Sequence, residues 1–271
     1  MVALSYREYP PPQDLARWIA CFWEIKGAAA QVNGFAHRVL PDGCADLIFD
    51  LRDGEGRTPR GEIVGPMSTG ILVELRTDTE LLGVRLRPGA TGAFLGLAAD
   101  RLLDVSVPVC EAPAPLRLEP GQLAALPNTA ARIALLITAC RSRLAAVKRF
   151  DPVVGHALTR WARPAPEVGF ATVSVLVRDI GLSERAFERR FVANVGLTPV
   201  RFRRLARLRA VLRLYSQGVR DWAALSAGAG FSDQSQLVRE FQTFVGLTPT
   251  RWAAAQAANA GFLQDGLITA L

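Results

Sequence analysis

The chain has 271 residues, half of them apolar, and 32 Lys and Arg against 25 Asp and Glu give it a net charge of +7. That length suits about two domains with cores of their own, and the composition excludes a disordered chain. No run reaches the roughly 18 apolar residues of a membrane span, and the opening MVALSYREYPPP lacks the basic-then-apolar order of a signal peptide; no membrane partner and a cytoplasmic location are expected.

In the first half, Asp14 to Trp23 places apolar residues on one helical face before strand-like residues take over. The pattern is β after that. Ile71, Val73 and Leu75 alternate with polar or small neighbours, as do Leu82, Val84 and Leu86, whose opposite face carries Arg85 and Arg87. Arg38 to Gly43 ends in a turn signal, Leu47-Ile48-Phe49 is a buried run, Pro88-Gly89 closes a strand, and Ala90 to Leu97 suits a short helix. Short strands separated by Gly and Pro predict a small antiparallel β-barrel or sandwich over residues 1–107. Arg85, Arg87, Asp42 and Asp46 either line an inner ligand cavity or are solvated surface charges. Trp18 and Trp23 read as core.

Five prolines between Pro108 and Pro127 predict an irregular connector. A helix follows, with Thr129 as its expected cap and a stripe of Ile133, Leu136, Ile137, Cys140, Leu144 and Val147. It either pairs with its twin in a homodimer or packs on its own sheet. Residues 108–150 are therefore the expected connector and dimerisation helix.

The charge is concentrated in what remains. Residues 151–257 hold 15 Arg and eight Asp or Glu, whereas the rest of the chain has 17 Lys or Arg and 17 acids and is neutral. A basic domain beside a neutral one points to a polyanion as partner of the C-terminal half alone. Asp151-Pro152 opens its first helix, with Val154, Leu158 and Trp161 inward and Pro164 and Pro166 as terminators. Thr172 caps the next, which ends at Gly181, a residue suited to the left-handed conformation of a tight turn. Ser183 caps a third, whose Phe187, Phe191 and Val195 form a buried stripe. Arg185, Glu188 and Arg189 lie on its other faces, in the N-terminal half that a recognition helix inserts into a major groove.

Thr198-Pro199 then opens a longer helix running to about Ser216, with a core side of Phe202, Leu205, Leu208 and Leu212 and six arginines elsewhere, of which Arg203 is placed to meet a phosphate at most. Its 18 residues span roughly 27 Å, near the roughly 34 Å between successive turns of a DNA groove. The motif recurs beyond it at an offset of 50: RAFERRFVANVGLTPVRF at 185–202 answers SQLVREFQTFVGLTPTRW at 235–252. The second unit has Asp221 before Trp222, a turn at Gly230, and Asp233 as cap. Leu237, Phe241 and Phe244 point inward, leaving Gln234, Ser235, Gln236 and Arg239 outside. Gln pairs bidentately with adenine and Arg with guanine. Gln236 also stands in capping-box spacing with Asp233 and can close the cap instead.

These residues resemble the AraC-type family of transcriptional regulators, on Gly230-Phe231-Ser232-Asp233-Gln234-Ser235, Arg239-Glu240-Phe241 and the two Gly-Leu-Thr-Pro runs, over about 100 residues. The resemblance implies an all-α, seven-helix domain with two helix-turn-helix units joined by a long helix, in an α+β chain that binds double-stranded DNA. Its base-reading places fall on Arg185, Glu188, Arg189, Gln234, Ser235, Gln236 and Arg239. Ser226 departs from it where a small apolar residue is usual, and Gln236 where many members carry His. The first half, with Leu40 to Phe49 and Gly83 to Gly89, looks like an uncharacterised domain often found ahead of this module.

The expectation is thus a regulator with a DNA-binding domain at 151–257 that folds and binds alone, a tail at 258–271, no cofactor and no enzymatic activity. A small-molecule effector, a second copy of the chain and RNA polymerase are its further candidate partners. Two alternatives compete with this reading. A DNA alkylation-repair protein with a metal-bound cysteine needs four clustered Cys, whereas Cys21, Cys44, Cys110 and Cys140 are spaced 23, 66 and 30 apart, and the two His, His37 and His156, fall in different halves. A basic RNA or protein docking module shares the charge but does not account for the repeated helix-turn-helix signals.

Overall fold

The computed structural model describes residues 4–27, 34–54, 56–76, 78–113, 116–147, 150–162 and 169–258. The expected terminators Pro164 and Pro166, and the tail from residue 259 onwards, lie outside them. The N-terminal half is built on a six-stranded antiparallel sheet of β1 (Leu4–Tyr9), β2 (Ile19–Gly27), β7 (Glu80–Leu86), β4 (Ala45–Asp50), β5 (Arg60–Val64) and β8 (Ser106–Pro108), in that order across the sheet. A second sheet pairs β3 (Gly34–Val39) with β6 (Ile71–Arg76).

Side-chain alternation assigns the two faces of the large sheet. Phe22, Leu47, Phe49, Ile63, Leu82, Val84 and Leu86 enter one core, while Cys21, Trp23 and Ile25 meet Leu75 of β6 in the other, so the two sheets form a sandwich. A register shift between Ile19 and Cys21 allows β2 to put Ile19 with Phe22 and Cys21 with Trp23, because one extra residue reverses the alternation. At Gly83, opposite Trp23, an added Cβ would lie 2.1 Å from the indole; only glycine lets the ring cross this strand.

Two sequence expectations fail here for local reasons. Residues 13–18 form turns rather than a helix, since Ile19 onward is claimed by the sheet. The cap of the long connector helix is Asn128, whose side chain accepts from Ala131 N at 2.9 Å; the Thr129 hydroxyl instead donates to Glu24 Oε2 on β2 at 2.7 Å.

The prolines between 108 and 127 do not make a loose tether. β8 adds an edge to the large sheet, and Val109, Ala112, Leu116, Leu118 and Leu123 are buried in its core beside the short helices α1 (Thr91–Leu95) and α2 (Pro120–Ala124). The long helix α3 (Thr129–Ala145) buries Ile133, Leu136 and Cys140 in that same core; its apolar stripe is used within the chain.

The C-terminal half is helical: α4 (Pro152–Ala162), α5 (Val173–Ile180), α6 (Glu184–Val195), α7 (Pro199–Ser216), α8 (Trp222–Gly228), α9 (Gln234–Val245) and α10 (Pro249–Ala258). Its buried residues, Val154 through Trp252, all come from this half, and Leu40 and Leu103 of the first half pack against them. Among the described residues, no helix is long and apolar enough to cross a membrane.

Candidate nucleic-acid interface

Local rules set each helix-turn-helix. Thr172 caps α5 and Ser183 caps α6, with Gly181 between them at φ 66°, and Leu182 N donates back to Val177 O at 3.1 Å. Asp221 caps α8 and Asp233 caps α9, with Gly230 at φ 71°. Ser226 is buried, and its hydroxyl donates to Asp233 O at 3.1 Å. The polar residue at an apolar position thereby holds the second turn closed.

The same framework is built twice. Phe191 and Phe202 meet edge to face with ring centroids 5.5 Å apart, and Phe241 and Trp252, 50 residues on, repeat this at 5.5 Å. Trp161 of α4 completes the first aromatic cluster; Tyr215 of α7 and Trp222 of α8 complete the second. Positions 190 and 240 each tie the second helix of their unit to the helix preceding the unit, with charges exchanged. Arg190 donates to both carboxylate oxygens of Asp151 at 2.9 and 3.0 Å, whereas Glu240 accepts from Arg204 Nε at 2.9 and 3.0 Å.

These supports leave the N-terminal halves of α6 and α9 outward. Arg185, Glu188 and Arg189 on α6 are exposed, as are Gln234, Ser235 and Arg239 on α9. Gln236 differs, being half-buried. Its Oε1 accepts from Ser232 N at 3.1 Å, Ser232 Oγ at 3.2 Å and Arg207 Nη2 at 3.1 Å, so the side chain closes the helix start and joins it to α7.

The opposite ends of both helices are covered by the N-terminal half at equivalent positions. An added Cβ on Gly92 would lie 2.8 Å from Ala193 O, and Gly196 stands against the Ala99 carbonyl. On the second unit, Gly70 N donates to Phe244 O at 2.7 Å and Arg38 Nη1 to Val245 O at 2.8 Å. These groups satisfy carbonyls that a helix end leaves unpaired.

Four arginines of α7, Arg201, Arg204, Arg207 and Arg209, are committed to tertiary structure, whereas Arg213 is exposed. Arg201 donates to Ser68 O at 2.8 Å and Arg209 to Asp42 O at 2.7 Å, both in the first half. Arg207 is buried over the Phe231 ring at 3.9 Å and donates to Gly230 O at 2.7 Å; burial holds its pKa below the usual arginine value. Arg203 is half-buried with its Nε shielded from solvent. Sequence periodicity placed Arg201 and Arg209 off the apolar stripe but carried no signal that the first half supplies their acceptors.

The charged residues of the first half separate in the same way. Arg85 is buried between the sheets, with Asp46 at 3.2 Å, Asp42 at 3.7 Å and Glu8 at 4.0 Å, while Asp46 also accepts from Trp23 Nε1 at 2.7 Å. Burial raises the Asp46 pKa and the nearby Arg85 opposes that rise. Arg87, beyond the end of β7, turns instead toward the cleft between the halves. Cys21 lies between the sheets, Cys140 in the core on the opposite face, and Cys110 on the surface, so these thiols cannot share one metal ion.

Two helix-turn-helix units on one long connecting helix thus follow a β-sandwich. Residues 176–255 match the family model of a helix-turn-helix domain, and residues 7–108 match the model of a domain of unknown function (DUF6597). The DNA-binding domain of AdpA, solved with a target DNA, is 24% identical over 40% of this chain and 92% of its own, with a TM-score of 0.34. An AraC-type regulator from Chromobacterium violaceum is 23% identical over 41% of this chain and 96% of its own, with a TM-score of 0.36. ToxT from Vibrio cholerae is 7% identical over 92% of this chain and 97% of its own, with a TM-score of 0.43. No curated protein matches the chain.

Proposed function

We propose that this protein is a transcriptional regulator that reads two adjacent major-groove segments of double-stranded DNA, with α6 and α9 as its recognition helices. The observation that carries this reading is the matched exposure of the N-terminal halves of α6 and α9 on a framework repeated at an offset of 50 residues. Arg185, Glu188 and Arg189 read one segment; Gln234, Ser235 and Arg239 read the other. Gln236 is assigned to the cap, because bidentate pairing with adenine needs the Oε1 that already accepts three hydrogen bonds. The N-terminal half regulates by gripping the far ends of both helices, which sets the distance between the readers.

Selection from a random duplex library followed by binding isotherms tests the proposal. The enriched sites should contain two unlike blocks centred about 10–10.5 bp apart, and a 5-bp insertion between them should abolish tight binding. Failure to enrich any duplex, or equal competition by RNA across a salt series, would overturn it.

A further inference from the structure

A cavity of about 740 Å³ opens between the two halves of the chain, within the size range of small-molecule sites. Its floor is apolar and includes four aromatic rings, Phe150, Trp161, Phe170 and Phe202, beside aliphatic residues such as Leu158 and Leu205. Four arginines stand in its wall. Arg17 and Arg87 come from the N-terminal half, and Arg209 and Arg213 from α7.

None of the four forms an ion pair with a carboxylate among the described residues. Arg87 uses Nε on Ala16 O at 2.7 Å and Arg209 uses one Nη on Asp42 O at 2.7 Å, while Arg17 lies over the Phe150 ring at 5.1 Å. Each retains donors for a guest. Among the described residues the only acid in the wall, Asp42, already accepts from Cys44 N at 2.8 Å and faces Arg85 at 3.7 Å.

Like charges gathered around a low-dielectric floor repel one another, and an anion that enters relieves the repulsion while accepting charge-assisted hydrogen bonds. A single negative charge would leave most of the excess in place. The apolar floor calls for a flat ring body. We propose that this cleft binds a ring-bearing organic anion carrying two or more negative charges, and that the guest bridges the N-terminal half and α7.

The probe for this site is 8-hydroxypyrene-1,3,6-trisulfonate, followed by fluorescence anisotropy on the full chain without DNA, with pyrene-1-sulfonate as its singly charged counterpart. The readout is therefore independent of the DNA-binding proposal. The trisulfonate should bind one per chain and about tenfold more tightly than the monosulfonate at low salt. Arg17 and Arg213 are exposed, so Arg17→Gln/Arg213→Gln should keep the parent melting temperature while weakening the trisulfonate about tenfold. Arg185→Gln, on α6 and away from the cleft, should bind it as the parent does. The proposal falls if the two probes bind equally, if the double variant keeps the parent affinity, or if Arg185→Gln loses as much.

Discussion

The two helix-turn-helix units share a skeleton and differ in what they expose. Each keeps an edge-to-face aromatic pair at 5.5 Å, and each ties residue 190 or 240 to the preceding helix by a carboxylate-guanidinium pair. The pair tolerates exchange of its charges because Coulomb attraction depends only on their product. At the outer positions nothing is retained except one arginine: Arg185 answers Ser235, Glu188 answers Val238, and Arg189 answers Arg239. Packing restricts the inner face of each helix, whereas an exposed position has no neighbour in the chain to satisfy. The repeat therefore holds two outward helices in one frame and, on the proposed function, lets them read different sequences.

The comparison breaks first at the aromatic pairs. Phe191 and Phe241 are both fully buried, so alanine at either should cost about 3–5 kcal/mol, read as a lowered denaturation midpoint. A cost at Phe241 under a third of that at Phe191 would show that the second cluster is not equivalent to the first.

The readers should separate next. Arg189→Ala and Arg239→Ala should each cost about 1–3 kcal/mol on the selected site, relaxing preference at one or two base pairs in different blocks, with little loss on scrambled duplex. Equal losses on selected and scrambled duplexes would mean that α6 and α9 do not read bases.

Smaller again are the exchanged ion pairs. Double-mutant cycles should give a coupling of about 1–2 kcal/mol for Arg204 with Glu240, and less for Arg190 with Asp151, whose side chains are more exposed. The reverse order would remove burial as the reason for the difference.

The smallest effect separates capping from reading within α9. Gln236→Ala should lower stability by about 1 kcal/mol and leave base preference unchanged, while Ser235→Ala should leave stability unchanged. A changed base preference in Gln236→Ala at unaltered stability would return Gln236 to the readers.

Much of the helical half was legible because helix signals are local. Thr172, Ser183, Thr198 and Asp233 cap the helices that the sequence assigned to them, since a cap needs only a side-chain oxygen within reach of a backbone N–H two or three residues on. The strand at 80–86 was readable from its alternation in the same way. The turn at 13–18 was not, because β2 pairs with β1 and β7 and that pairing overrides the local pattern.

What the sequence determined by itself is the doubled frame, the caps and turns, and the outward places of Arg185, Glu188, Arg189, Gln234, Ser235 and Arg239. Only the tertiary structure decided the use of the arginines on α7, the burial of α3 within its own domain, and the cation-lined cleft. A helical period separates apolar from polar faces, but it cannot distinguish a guanidinium facing water from one whose donors meet carbonyls more than a hundred residues away, as Arg201 meets Ser68 and Arg209 meets Asp42.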